Sequence, residues 1–176
     1  MKVHGVRRCF RGPARGFTLV ELVAVVALTA ILSIAAYAAV STTVGTFKLN
    51  AAATKMIEDI RYAQHLARTH NGWYGVLFQP NPANQYTVYQ TDGTTDTAVT
   101  NPLNPVTTLS INTNTDYGVT ITIANIGGGT QVEFNPMGVP YNDKTGAALA
   151  ANGTVTLTRG GSSKTITIIQ NTGKAE

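Results

Sequence analysis

The sequence predicts an α+β protein in which a long hydrophobic N-terminal helix leads into a mostly antiparallel β-sheet domain. Three observations carry this expectation. No charged side chain stands between Leu22 and Phe47, and apolar residues then recur at helical spacing as far as Ala67. The rest of the chain breaks into about seven short β-branched or aromatic segments separated by Asn, Pro, Gly and Asp. A length of 176 residues leaves room for one folded domain and an anchor, but not for two separate cores.

Residues 1–16 form a basic leader. Lys2, Arg7, Arg8, Arg11 and Arg15 stand there without an acid among them, which leaves eight basic residues against nine acidic ones from Phe17 onward. The formal charge of +4 therefore belongs to the leader, and net charge gives no support to a domain-wide basic surface for nucleic acid. Cys9, the only cysteine, also lies in the leader, so no intrachain disulfide can form. A domain of this size buries enough apolar surface to fold without one, and export remains open to it.

Residues 17–47 form the second segment. Its run LVAVVALTAILSIAAYAAV supplies the roughly 20 helical residues needed to cross a bilayer core of about 30 Å. An ordinary secretory signal has a shorter apolar stretch, with its cleavage site after that stretch. Here the processing point precedes the apolar run, at Arg15-Gly16-Phe17, so cleavage would retain the helix. Arg7-Arg8-Cys9-Phe10 faintly resembles a twin-arginine export signal. However, no small-residue cleavage site follows, and the same arginines suit a leader left in the cytoplasm.

GFTLVEL followed by an unbroken apolar helix resembles the prepilin signature of type IV pilins and of the pseudopilins of type II secretion. That resemblance implies cleavage by a prepilin peptidase between Gly16 and Phe17, and methylation of the new Phe17 amine. It also singles out Glu21, the fifth residue of the processed chain. A carboxylate on an apolar helix costs several kcal/mol at membrane depth, and the flanking sequence holds no cation to pair with it. In the resembled family the matching Glu pairs with the N-terminal amine of a neighbouring subunit, and a charge-assisted bond to Phe17 would offset the desolvation here. The competing reading places Glu21 at the interface, reaching toward water.

Residues 48–72 form the amphipathic second half of the helix. A bend is expected at Gly45, where VSTTVGTFKLN leaves the apolar run. Leu49, Ala53, Met56, Ile57, Ile60, Ala63 and Ala67 then share a face, and Asn71-Gly72 supplies the stop. A helix from Phe17 to about His70 would be about 80 Å long. Once such a hydrophobic projecting half leaves the bilayer, only copies of itself or related subunits can bury it, which is the physical case for a filament. TKMIEDIRYAQHLARTHN followed by a Trp-Tyr strand resembles the segment after the anchor in the GspH/FimT family of minor pilins and pseudopilins.

Residues 73–176 form the β-rich domain. WYGVLFQ, QYTVYQT, VTTLSI, YGVTITIA, TQVEFNP, GTVTLTR and KTITIIQ are its expected strands, and Thr91–Pro105 and Met137–Asn152 its expected loops. Phe134-Asn135-Pro136-Met137-Gly138 and Asn171-Thr172-Gly173-Lys174 resemble the C-terminal half of the same family. Gly127-Gly128-Gly129 reads as a hairpin turn, since no helix carrying Lys-Ser/Thr follows it.

No constellation for chemistry emerges. His65 and His70 lie on or just past a helix without a cysteine or carboxylate cluster at metal spacing, and Ser162 and Ser163 have no nearby base. No cofactor and no metal are expected. Some FimT-like minor pilins are DNA-uptake subunits with arginines near the C-terminal end; here the corresponding tail, TGKAE, has only Lys174, while Arg159 and Lys164 flank a hairpin expected at Gly160-Gly161, and phosphate contacts would fall to these three. Many major pilins of the resembled family carry a helix-kinking proline in the anchor and a C-terminal disulfide loop; the missing proline bears on how this helix bends, and the missing disulfide argues for a minor subunit rather than a major pilin.

The resulting expectation is a minor pseudopilin of a type II secretion system that helps to initiate or cap the periplasmic pseudopilus. The alternative is a FimT-like minor pilin of a type IV pilus, serving pilus biogenesis, adhesion or DNA uptake; a membrane-anchored enzyme comes third. Expected partners are other pilin or pseudopilin subunits through the N-terminal helix, the prepilin peptidase, the inner-membrane assembly platform and membrane lipid, with DNA as the alternative. The expected location is the bacterial inner membrane, crossed once, with the C-terminal domain in the periplasm or outside.

Overall fold

A computed structural model describes residues 16–176, apart from the side chains of residues 35, 38, 39 and 42. The leader expectations for residues 1–15 lie outside the described residues. The chain divides into two units, Met1–Val40 and Ser41–Glu176.

Helix α1 spans Leu19–Thr69 and is continuous through Gly45. Thr18 begins it, its Oγ1 accepting a hydrogen bond from the Glu21 amide at 3.2 Å, and Glu21 places an acid in the first turn. Arg68 sits in the last turn, where positive charge suits the helix dipole.

Eleven strands follow: β1 Trp73–Gln79, β2 Gln85–Thr91, β3 Asp96–Ala98, β4 Thr100–Asn101, β5 Asn104–Thr108, β6 Ser110–Asn112, β7 Thr120–Asn125, β8 Gln131–Phe134, β9 Pro140–Tyr141, β10 Gly153–Arg159 and β11 Ser162–Ile168. A short helix α2, Thr113–Tyr117, lies between β6 and β7. Every strand pair is antiparallel. The larger sheet runs β3-β2-β1-β8-β9, with β6 also on β2; a second sheet is β11-β10-β7, and β4 and β5 form a separate hairpin. The glycine run expected as a turn links the two larger sheets. Ile126 and Gly129 exchange backbone hydrogen bonds across Gly127 and Gly128, whose φ values of 60° and 89° suit a tight primed turn.

The core forms where the buried stripe of α1 meets both sheets. Leu49, Ala53, Met56, Ile60, Ala63 and Ala67 come from the helix, Val76, Phe78, Tyr86, Val88, Val132 and Phe134 from the larger sheet, and Ile121, Val155, Leu157, Ile166 and Ile168 from the smaller. Alternation selects these strand residues, because successive side chains point to opposite faces. Gly75 breaks the alternation for a steric reason. A Cβ there would lie 2.7 Å from the Val132 carbonyl and 2.9 Å from the Tyr89 ring, so only glycine lets that ring lie against β1.

Several boundaries differ from expectation. Thr91–Pro105, expected as a loop, contains β3, β4 and the start of β5, because β3 continues the ladder on β2 after a turn in which Asp92 Oδ1 accepts from the Thr94 and Thr95 amides at 2.7 Å. VTTLSI is divided between β5 and β6 at the buried Leu109, whose backbone bonds Val88 and Val99. YGVTITIA begins in helix rather than strand. Asn112 caps α2 by accepting from the Asn114 and Thr115 amides, and Gly118 ends it with a left-handed φ of 65°. Met137–Asn152, also expected as a loop, holds β9 and an isolated bridge between Tyr141 and Ala148.

Candidate functional site: the start of helix α1 and the helix–loop clasp of the second unit

Within the first unit, Gly16, Phe17, Thr18 and Glu21 line a shallow hollow at the start of α1. Thr18-Leu19-Val20-Glu21 has the S/T-x-x-E spacing of a capping box, and Thr18 makes the cap bond. The cap at Thr18 fixes the helix start at Leu19, two residues after Phe17, so Glu21 stands about one turn from the Phe17 backbone. Sequence reasoning passed over Thr18, although the capping spacing was legible. The apolar residues around it are exposed, from Phe17 at 80 % to Leu28 at 61 % and Ile34 at 73 %.

Among the described residues no helix is long and apolar enough to cross a membrane. The apolar run in the sequence continues through positions 35, 38 and 39, whose side chains are outside the description.

In the second unit the segments that carried the resemblance converge. Gln64, from IRYAQ, donates through Nε2 to the Gly138 carbonyl at 2.8 Å and the Thr172 carbonyl at 2.6 Å. Arg61 donates to the Ala175 carbonyl at 2.8 Å, and Arg68 to that of Met137 at 3.3 Å. Asn135 Oδ1 accepts from the Met137 and Val139 amides and holds the NPMG loop in shape. Gly173 has a φ of 66°, and a Cβ there would meet Gln64 Nε2 at 2.6 Å and the Phe134 ring at 2.7 Å. The helix thus clasps two distant loops through their carbonyls, a job for which long amide and guanidinium donors suit.

Two buried acids complete the packing. Asp59, only 5 % exposed, accepts from Lys55 Nζ at 2.5 Å and from the Tyr86 hydroxyl at 2.7 Å, tying α1 to β2. Burial, reinforced by the Asp59 charge, pushes the Tyr86 hydroxyl well above its usual range and keeps it a neutral donor. Glu133, 3 % exposed, accepts from the Tyr89 hydroxyl at 2.7 Å and the Lys144 amide at 2.6 Å. Burial raises its carboxyl, while those two donors pull the other way. Lys144 lies 5.8 Å from the Trp73 ring centroid, and Trp73 packs edge-on against Tyr141.

Arg159, Lys164 and Lys174, the cations expected to contact phosphate, do not form one patch. Arg159 Nη1 donates to the Tyr117 and Gly118 carbonyls at 2.6 Å each, Lys164 donates to Asn50 Oδ1 at 2.9 Å, and Lys174 pairs with Glu176 at 2.7 Å. Lys174 stands opposite Ile169, five residues along from Lys164, or about 16 Å of extended chain. His70 tilts against Tyr74 with centroids 5.9 Å apart, and the described residues hold no group of three metal-ligating side chains.

The family described as Type II transport protein GspH matches residues 52–173, and the one described as Prokaryotic N-terminal methylation motif matches residues 11–37. This chain belongs to the GspH family. Among solved structures, the minor pseudopilin EpsH from the Type 2 Secretion System of Vibrio cholerae is similar at 13 % identity and a TM-score of 0.54, covering 73 % of this chain and 94 % of that one. The type IV minor pilin FimU of Pseudomonas aeruginosa is similar at 12 % identity and a TM-score of 0.49, covering 74 % and 88 %. No curated protein matches significantly. As a GspH-family chain the protein is pilin-like, a structural subunit class, and its N-terminal motif implies inner-membrane anchoring and incorporation into a pilus or pseudopilus.

Proposed function

We propose that the protein is a minor pseudopilin of a type II secretion system, helping to initiate or cap the periplasmic pseudopilus that drives protein export. The observation that carries the reading is the GspH match over residues 52–173, joined in one chain to the N-terminal methylation motif. In this account the prepilin peptidase cuts between Gly16 and Phe17 and methylates the new amine. Residues 17–47 hold the subunit in the inner membrane until the assembly platform extracts it. Glu21 then pairs with the Phe17 amine of an adjacent subunit, and the exposed apolar face of Leu19–Ile34 exchanges lipid for neighbouring helices.

The chemistry is tested by mass spectrometry of the membrane fraction, where the expected chain begins with N-methylated Phe17. A chain that still carries the leader, or that starts near Val40, contradicts it. Glu21→Ala should insert normally yet enter filaments poorly. The cellular role is tested by deleting the gene: exported proteins should accumulate in the periplasm while surface pili persist. Loss of pili with normal secretion would assign the chain to a type IV pilus instead.

A further inference from the structure

Ser41, Thr46, Gly118, Arg159, Gly160 and Ser162 line a cavity of about 460 Å³ in the second unit, between α1 and the turn of the β10–β11 hairpin. The guanidinium in its wall is held in place. Nη1 of Arg159 is fixed by the two carbonyls that end α2, and Nε lies by Gly45, where a Cβ would come within 3.8 Å. Two more cations stand at the same end of the domain. Lys164 reaches Asn50 on the helix, and Lys48 is exposed two residues before Asn50.

The charge there contrasts with the rest of the processed chain. Asp116, exposed on α2, is the local acid. The next acids along α1 are Glu58 and Asp59, at least about 12 Å of helix beyond Asn50, and Asp59 is already paired with Lys55. With eight basic and nine acidic residues in the processed chain, a positive end implies a net negative remainder. The location matters too. Ser41 and Thr46 belong to the last turns of the uncharged run, and Phe47 beside them is 68 % exposed. That is the level at which a bilayer-spanning helix meets phospholipid headgroups, where aromatic and basic residues favour the interface.

We propose that this cavity binds the phosphate of an anionic phospholipid, with Arg159 as its ligand, the hydroxyl and glycine lining as hydrogen-bonding wall, and Lys48 and Lys164 as supporting charges. The proposal rests on the reading of residues 17–47 as the membrane anchor. Such a site would hold the domain at a defined height above the bilayer before the subunit is extracted.

The test uses full-length protein in detergent, with native mass spectrometry reading the binding of phosphatidylglycerol or phosphatidylcholine. Phosphatidylglycerol should bind tighter on the order of tenfold, given three cations near the headgroup. Arg159→Gln and Ser162→Asp should each abolish the preference, and Lys48→Gln with Lys164→Gln should reduce it several-fold. Ser162→Asp changes an exposed residue paired with Arg159 across the hairpin and keeps the guanidinium, so it decides the matter if thermal melting shows Arg159→Gln to be unfolded. Equal affinity for the two lipids, or a preference that survives Ser162→Asp, overturns the proposal. So does binding of inorganic phosphate or a short DNA duplex as tight as that of phosphatidylglycerol. Flotation with phosphatidylcholine vesicles reads the anchor separately: failure to float rejects the anchor, whereas flotation without lipid preference rejects only this site.

Discussion

Between Leu22 and Val44 the described apolar residues of α1 are exposed, Ile31 at 66 % and Leu32 at 68 %, whereas between Leu49 and Ala67 the same helix buries Ala53, Met56, Ile60 and Ala63 completely. Apolar character does not separate the two stretches; its distribution does. The first is apolar on every side, so no single sheet could cover it, which suits the proposed burial against lipid and other subunits. The second confines its apolar residues to a stripe that two sheets of the same chain can cover, and places Lys55, Arg61 and Arg68 on the remaining surface. One half is thus a folding element and the other the proposed assembly element, and substitutions should separate them.

The largest contrast is expected between Ile60→Ala and Ile31→Ala. Removing the buried Ile60 side chain should cost about 2–5 kcal/mol in denaturant unfolding of the detergent-solubilised chain. Ile31→Ala should change that stability by less than about 0.5 kcal/mol while lowering filament incorporation. Equal stability losses at both positions would erase the distinction between the halves.

Next is the polar tie of the folding half to its sheet. Asp59→Asn removes the charge that holds Lys55 and weakens the acceptor for Tyr86, at about 1–3 kcal/mol. A double-mutant cycle with Tyr86→Phe should show coupling, and additive effects would mean that the bond contributes little.

A smaller effect depends on pH. The folded-state pKa of Glu133 lies above its unfolded value because burial disfavours the ion. Its stabilising contribution is therefore complete below the unfolded value of about 4.3 and is lost as pH rises through the folded one. The stability of the parent chain relative to Glu133→Gln should accordingly fall between pH 4 and pH 7. The comparison within a pair removes the opposite trend from Asp92, Asp143 and Glu176, whose carboxyls are lowered by their hydrogen-bond donors. A constant or widening gap would show that Glu133 is not the group responsible.

The smallest expected effect lies at the assembly end. Thr18→Ala should loosen the first turn of α1 by about 1 kcal/mol, seen as faster amide exchange at Leu19–Glu21, with the melting temperature of the domain unchanged. A lowered melting temperature would mean that the two halves are coupled more closely than their packing indicates.

Much of the fold was legible because periodicity survives in local sequence. The buried stripe of α1, the β1, β2, β8, β10 and β11 segments, and the glycine turns at Gly127-Gly128 and Gly160-Gly161 all follow from spacing and turn chemistry. The misread stretches have other causes. β3 and β4 are too short to show alternation and exist because β2 and β5 offer them backbone partners. α2 is a five-residue helix made by its caps, Asn112 and Gly118, and carries no apolar period. The cap at Thr18 could have been read from its spacing to Glu21.

By itself the sequence determined the division of α1 into an all-round apolar half and a striped half, the family signature at Gly16-Phe17 and Glu21, and the supply of strands, because these depend on residue type and short spacing. Only the tertiary structure decided what the scattered polar residues do. Gln64 meets Gly138 and Thr172, Asp59 meets Tyr86, and Arg159 meets the end of α2, across separations of 27 to 108 residues. The physical reason is that a donor satisfies whichever acceptor the folded backbone brings within about 3 Å, and no local pattern in the chain records that distance.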